Sequence, residues 1–202
     1  MTRLPVELTS FHRSLARINH TRARMERLYR EGRITKTDLD SVYEALFLRV
    51  VTSFESFLEN LFLAILEKRT RYRNGRVLLK MKTDSRDELM EILLQGDKYM
   101  TWLPFYNTEN RAKIYLKDGR PFTELDNGAK STIKTITTIR NAIAHKSPHA
   151  MNEFRRHVIG SLPLLRGERS AAGFLRSQTR SGTDVRFEVY MGELGKMALA
   201  LC

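Results

Sequence analysis

Cysteine is almost absent from this chain of 202 residues: the single thiol, Cys202, can close no internal disulfide and has no neighbours for a metal site. A disulfide-stapled scaffold is therefore excluded, and a reducing cytoplasm is the expected setting. Long apolar runs are also missing, because charge interrupts every stretch within a few residues. The opening Met1-Thr-Arg-Leu-Pro-Val-Glu-Leu8 carries no apolar run behind a basic cluster. Neither a transmembrane span nor a signal peptide is expected. Internal repeats, low-complexity tracts and linkers are lacking as well, so residues 1–202 read as a single domain. Also missing are His or Cys pairs at ligand spacing, a glycine-rich phosphate loop and a Gly-x-Ser-x-Gly elbow. Those absences argue against a metal nuclease or a serine-type hydrolase, and the expectation is a protein with no metal and no cofactor.

Acid is the minority charge. Against 23 Asp and Glu stand 35 Lys and Arg, a net charge of +12, and 24 of those cations are Arg. The planar guanidinium fork matches phosphate, so an arginine-heavy excess favours a nucleic-acid partner over generic solubility. Hydrophobic residues make up 42% of the chain, enough for one buried core.

Periodicity makes that core helical. Leu8, Phe11, Leu15, Ile18, Met25 and Leu28 recur every three to four residues through a helix over 6–31 that Gly32 stops. Arg13, Arg17, Arg22, Arg24, Arg27 and Arg30 occupy its other positions as a basic ridge. A longer helix, from a cap at Thr37 to about Lys68, places Tyr43, Phe47, Val50, Phe54, Phe57, Leu61 and Ile65 on one wide face. It is the expected central helix. Arg49, Ser53, Ser56 and Asn60 fall opposite that face, with Glu55 and Glu59 at its edge. A basic loop with Arg69, Arg71, Tyr72, Arg73 and Arg76 follows, then a short strand over 77–82. A helix capped by Ser85 and Glu88 ends at Gly96, and a further helix runs from a Thr108 cap to about Lys117. Ile133, Ile136, Ile139 and Ile143 lie within about 120° on a helix over 128–146. After a helix around 151–160, Gly173-Phe-Leu-Arg-Ser-Gln and Val185-Arg-Phe-Glu-Val-Tyr read as a small β-hairpin, with a last helix over 192–201.

The isoleucine helix ends in Arg140-Asn-Ala-Ile-Ala-His145. Cutting RNA without a metal requires the 2′-hydroxyl to lose a proton as it attacks phosphorus and the leaving 5′-oxygen to gain one. Histidine, which titrates near neutrality, suits that transfer. A guanidinium beside it stabilises the charge growing on the non-bridging oxygens. Asn141, four residues before His145, can orient the imidazole or bond the phosphate. Arg13 and His20 satisfy a looser spacing but sit mid-helix without the adjacent asparagine. In a regular helix Arg140 and His145 stand about 140° apart. A loosened last turn, a wrapped arginine stem, or a second subunit must unite them.

Tyr43-Glu-Ala-Leu-Phe-Leu-Arg-Val-Val-Thr-Ser-Phe-Glu-Ser-Phe-Leu-Glu59, Pro121-Phe-x-x-Leu125 and Ile139-Arg-Asn-Ala-Ile-Ala-His145-Lys-Ser resemble the RiboL-PSP-HEPN branch of the HEPN superfamily over most of the chain. The resemblance implies a mainly α protein: an up-and-down HEPN helical bundle, its helical core over about 6–160, with the small C-terminal β-hairpin and terminal helix over about 173–201. It implies a two-fold homodimer with a composite active site and metal-independent endoribonuclease activity, with Arg140, Asn141 and His145 catalytic. Glu55 or Glu59 could hold Arg140, while Arg49, Arg69, Arg71, Arg73, Arg76 and Lys146 are the phosphate-contact candidates. The setting it implies is a toxin–antitoxin or antiphage system, with an antitoxin protein as restraining partner. The rival readings are a HEPN-like scaffold that binds RNA or protein without cutting, and a DNA-binding regulator, for which no recognition helix is evident.

Overall fold

Gly32 and Thr35 make the first corner of the computed structural model, which describes residues 4–69, 77–80, 85–94, 97–179 and 182–202. Helix α1 (Val6–Arg30) ends where Gly32 takes φ +70°, a conformation open to glycine at no steric cost. There the Gly32 amide donates to the Tyr29 carbonyl and the Arg33 amide to the Leu28 carbonyl, satisfying two orphan acceptors of the last turn. Helix α2 (Lys36–Leu66) then opens on Thr35, two residues ahead of the expected cap. Thr35 Oγ1 accepts from the Asp38 amide, and Asp38 returns the bond to the Thr35 amide at 2.9 Å. These bonds hold the Asp38 carboxyl below its usual range. Thr37, the expected cap, lies inside the first turn.

Helix α2 is the centre of the molecule, covered by α1 and by three later helices. Every residue of its expected aromatic and aliphatic face is buried, and Phe11 of α1 stacks on Phe57 at 5.3 Å between ring centroids. Because several neighbours cover it, its C-terminal half buries Leu58, Phe62, Leu63, Ala64 and Leu66 as well, beyond the one face that periodicity marks.

Among the described residues there are eight α-helices and no strand. After α2 come α3 (Arg86–Leu94) and α4 (Phe105–Tyr115). The expected strand over 77–82 reduces, in its described part, to one bridge between Leu79 and Leu116 beside the exit of α4. The expected stop at Gly96 lies outside the described residues. Thr108 does not cap α4, which begins after Pro104; its buried hydroxyl donates to the Trp102 carbonyl at 2.6 Å and anchors that loop. Phe122 and Leu125 of the Pro-Phe-x-x-Leu segment are buried, Phe122 against Phe62 of α2. Helix α5 (Asn127–His145) follows from an Asp126 cap, and α6 (Pro148–Phe154) runs on into a π turn over Arg155–Ile159.

The C-terminal hairpin is replaced by two helices, α7 (Ala171–Arg176) and α8 (Arg186–Ala200), joined through a single bridge between Gln178 and Val185. Val185-Arg-Phe-Glu-Val-Tyr alternates like a strand only while read alone. Extended through Leu194, Met197, Ala198 and Leu201, its buried positions from Phe187 onward follow one helical stripe. Ser170 caps α7 by accepting from the Gly173 amide, and a Cβ on Gly173 would lie 2.0 Å from the Gly167 carbonyl oxygen. Gly173 is there for close backbone approach inside a helix. No helix among the described residues is long and apolar enough to cross a membrane.

Candidate active site

Helix α5 presents its motif because its opposite side is committed to the core. Ile133, Ile136, Ile139 and Ile143 are all buried in a core that α5 shares with α2 and α8, which turns Arg140, Asn141 and His145 to the outer margin at the C-terminal end. Lys146 terminates the helix at φ 48°, in the left-handed region, and its amide donates to the Ala142 carbonyl. Ser147 then caps α6. His145 is exposed, whereas Arg140 and Asn141 are half-buried.

The 140° separation is bridged within one chain by the arginine stem. Arg140 Nη1 lies 3.5 Å from His145 Nε2 and donates to Asn141 Oδ1 at 3.1 Å. A guanidinium has no acceptor, so a bond to Nε2 requires that nitrogen to be unprotonated and places the ring proton on Nδ1. The contact sits at the outer limit of hydrogen bonding and is weak in itself. Its value is positional: it leaves Nε–H and the Nη2 pair of Arg140 for a phosphate, and a contact this weak lets the Nε2 lone pair turn to a substrate proton instead.

Acidic residues on α2 flank this cluster. Burial pushes the Glu55 carboxyl above its usual range, and the positive charge of Arg140 offsets part of that rise. Lys146 pairs with Glu44 at 3.2 Å. Glu44 precedes Glu55 while Lys146 follows Arg140, so α5 runs antiparallel to α2 along the site. Glu44 was not among the sequence candidates. Its signal was available, since eleven residues place Glu44 and Glu55 about 20° apart on α2.

The other candidates are dispersed. Glu59 accepts from Trp102 Nε1 at 3.0 Å, beneath an Arg111 guanidinium 4.7 Å from the Trp102 ring centroid. It serves that cluster. Arg69 is engaged by Glu67 and, at 3.6 Å, by Glu7, tying the end of α2 to the start of α1. Arg49 is exposed on α2, and Arg71, Arg73 and Arg76 lie outside the described residues. His20 is exposed on α1, two turns beyond Arg13. No group of three His, Cys, Asp or Glu able to hold a metal occurs among the described residues. No family model, curated protein or solved structure matches the chain.

Proposed function

We propose that this chain is a metal-independent endoribonuclease of the HEPN type. The observation that carries the reading is the convergence of Arg140, Asn141 and His145 through one guanidinium at the end of α5. It is supported by the motif resemblance and by the net charge of +12.

The arrangement suits transesterification. Nε2 of His145 takes the 2′-hydroxyl proton as that oxygen attacks the adjacent phosphorus, and the imidazolium then gives it to the departing 5′-oxygen. The free donors of Arg140 bind the non-bridging oxygens, most tightly when their charge peaks. Asn141 fixes the guanidinium. The products are a 2′,3′-cyclic phosphate and a 5′-hydroxyl. Growth-arresting RNA cleavage in a toxin–antitoxin or antiphage system, restrained by an antitoxin protein, is the setting that fits such an enzyme.

The test is cleavage of RNA by purified wild-type, His145→Ala and Arg140→Ala protein, with chelator present. Loss of general acid–base help costs about 10² to 10⁴ in rate, so each variant should fall silent in a gel assay while keeping its circular dichroism and most of its RNA affinity. His20→Ala should cut normally. Undiminished cleavage by folded His145→Ala protein, or cleavage that chelator abolishes, overturns the mechanism. RNA binding with no cleavage by any form would instead favour the scaffold.

A further inference from the structure

A cleft of about 820 Å³ lies between the C-terminal half of α1, the 162–165 loop and the junction of α7 with α8. It is not the α5 site: neither Arg140, Asn141 nor His145 lines it. Four guanidiniums converge there, from Arg22, Arg30, Arg176 and Arg186, against the carboxylates of Glu26 and Glu168.

The four arginines divide by what holds them. Arg22 and Arg176 are largely buried and neutralised. Arg22 pairs with Glu188 and donates to the Tyr43 hydroxyl at 3.2 Å, while Arg176 pairs with Asp40 at 3.0 Å and Glu26 at 3.4 Å and lies over the Tyr29 ring. These two form a rigid floor. Arg30 and Arg186 pair with no carboxylate among the described residues. Arg30 bonds the Glu26 carbonyl oxygen; Arg186 lies over the Phe174 ring with its centroid 4.7 Å away and bonds Ser177 Oγ. Glu168 forms no ion pair with either of them; its Oε2 accepts from the Leu165 amide at 2.9 Å, and its charge leaves the lining with four guanidiniums against two carboxylates. Two oriented guanidiniums therefore face a concave space with unspent donors, and such forks select phosphate or carboxylate. Leu162, Pro163 and Leu164 add apolar side chains to the lining. A bare phosphate needs far less room and no apolar lining; about 300–1,000 Å³ is the range of small-molecule sites.

We propose that this cleft binds a small organic phosphate, its phosphoryl group on Arg30 and Arg186 and its carbon body against Leu162, Pro163 and Leu164. The inference stands apart from the ribonuclease reading, since no residue is shared.

Calorimetric titration of the intact chain with adenosine 5′-monophosphate, glucose 6-phosphate, their dephosphorylated parents, inorganic phosphate and a short 5′-phosphorylated RNA tests it. At least one organic phosphate should bind at one site per chain, more tightly than inorganic phosphate, and its parent should not. Arg30→Gln, at an exposed position, should weaken binding about tenfold or more, the usual scale for a charged hydrogen bond. Arg186→Gln should do the same; should it fail to fold, Arg30→Gln alone decides. His145→Ala should bind as wild type even if RNA cleavage is never found. No saturable binding at millimolar concentrations, affinity unchanged in Arg30→Gln, or binding lost in His145→Ala overturns the proposal. So does binding confined to a short 5′-phosphorylated RNA, which would make the cleft a site for strand ends.

Discussion

A single long side chain decides the candidate site. Arg140 bridges a helical offset that no shorter cation could cross, so lysine in its place would lose the fork and the simultaneous reach to Asn141 and His145. Elsewhere the charged side chains work in pairs with aromatics, as at Tyr43, which donates to Glu26 at 2.8 Å and accepts from Arg22. Burial pushes the Tyr43 hydroxyl up to about 12. The folded chain thus holds this proton more tightly than the unfolded chain, where tyrosine titrates near about 10. Its contribution to stability is complete below about pH 10 and disappears as pH climbs through about 12. Urea unfolding across that window should therefore show a steeper alkaline decline for wild type than for Tyr43→Phe. At pH 8 the variant should be weaker by about 1 kcal/mol for the missing hydrogen bonds. Equal alkaline slopes would mean that Tyr43 ionises without resistance.

Helix α1 carries the clearest surface pattern. Arg13, Arg17, His20, Arg24 and Arg27 are all exposed and fall within about 80° of one another around the helix. Of these only Arg27 meets a carboxylate among the described residues, Glu31 at 3.9 Å. Arg22, counted in the ridge from sequence, turns inward to Glu188, because its azimuth faces α8. We propose that Arg13, Arg17 and Arg24, which pair with no carboxylate among the described residues, form a track for a polyanion. Replacing Arg13, Arg17 and Arg24 with glutamine should weaken RNA binding and flatten its salt dependence, by about 0.7 in the log–log slope for each single-strand phosphate no longer neutralised. An unchanged slope would reduce the ridge to a solvated face. The helix itself was legible, apolar every third or fourth residue with Gly32 behind it. The separate roles of its arginines were not, since Arg22 turns to a partner far along the chain and Arg30 lines a cleft closed by the 162–165 loop.

For the whole molecule, the intrachain approach of Arg140 to His145 bears on assembly. A homodimer remains the proposed form, implied by the motif resemblance, and light scattering should then give twice the 23.5 kDa chain mass. Each protomer nevertheless brings its own Arg140 and His145 together. Mixed, subunit-exchanged Arg140→Ala and His145→Ala proteins should therefore stay inactive. Restored cleavage in that mixture would show that the working pair is assembled across the two-fold axis.

Local chemistry along the chain determined the helices with long apolar stripes, the central position of α2, the isoleucine face of α5 and the outward placement of Arg140, Asn141 and His145. Each depends on the 3.6-residue period and on which face must leave water. Tertiary structure alone decided the rest. It made helices of the segments around Phe174 and Phe187, α7 packed on α2 and α8 on α1, α5 and α2, where a six-residue window read alone suits a strand as well. It brought Glu44 to Lys146, sent Glu59 to Trp102, and built the arginine cleft from residues more than a hundred positions apart. Such meetings depend on how helices dock, and no periodicity within a helix encodes them.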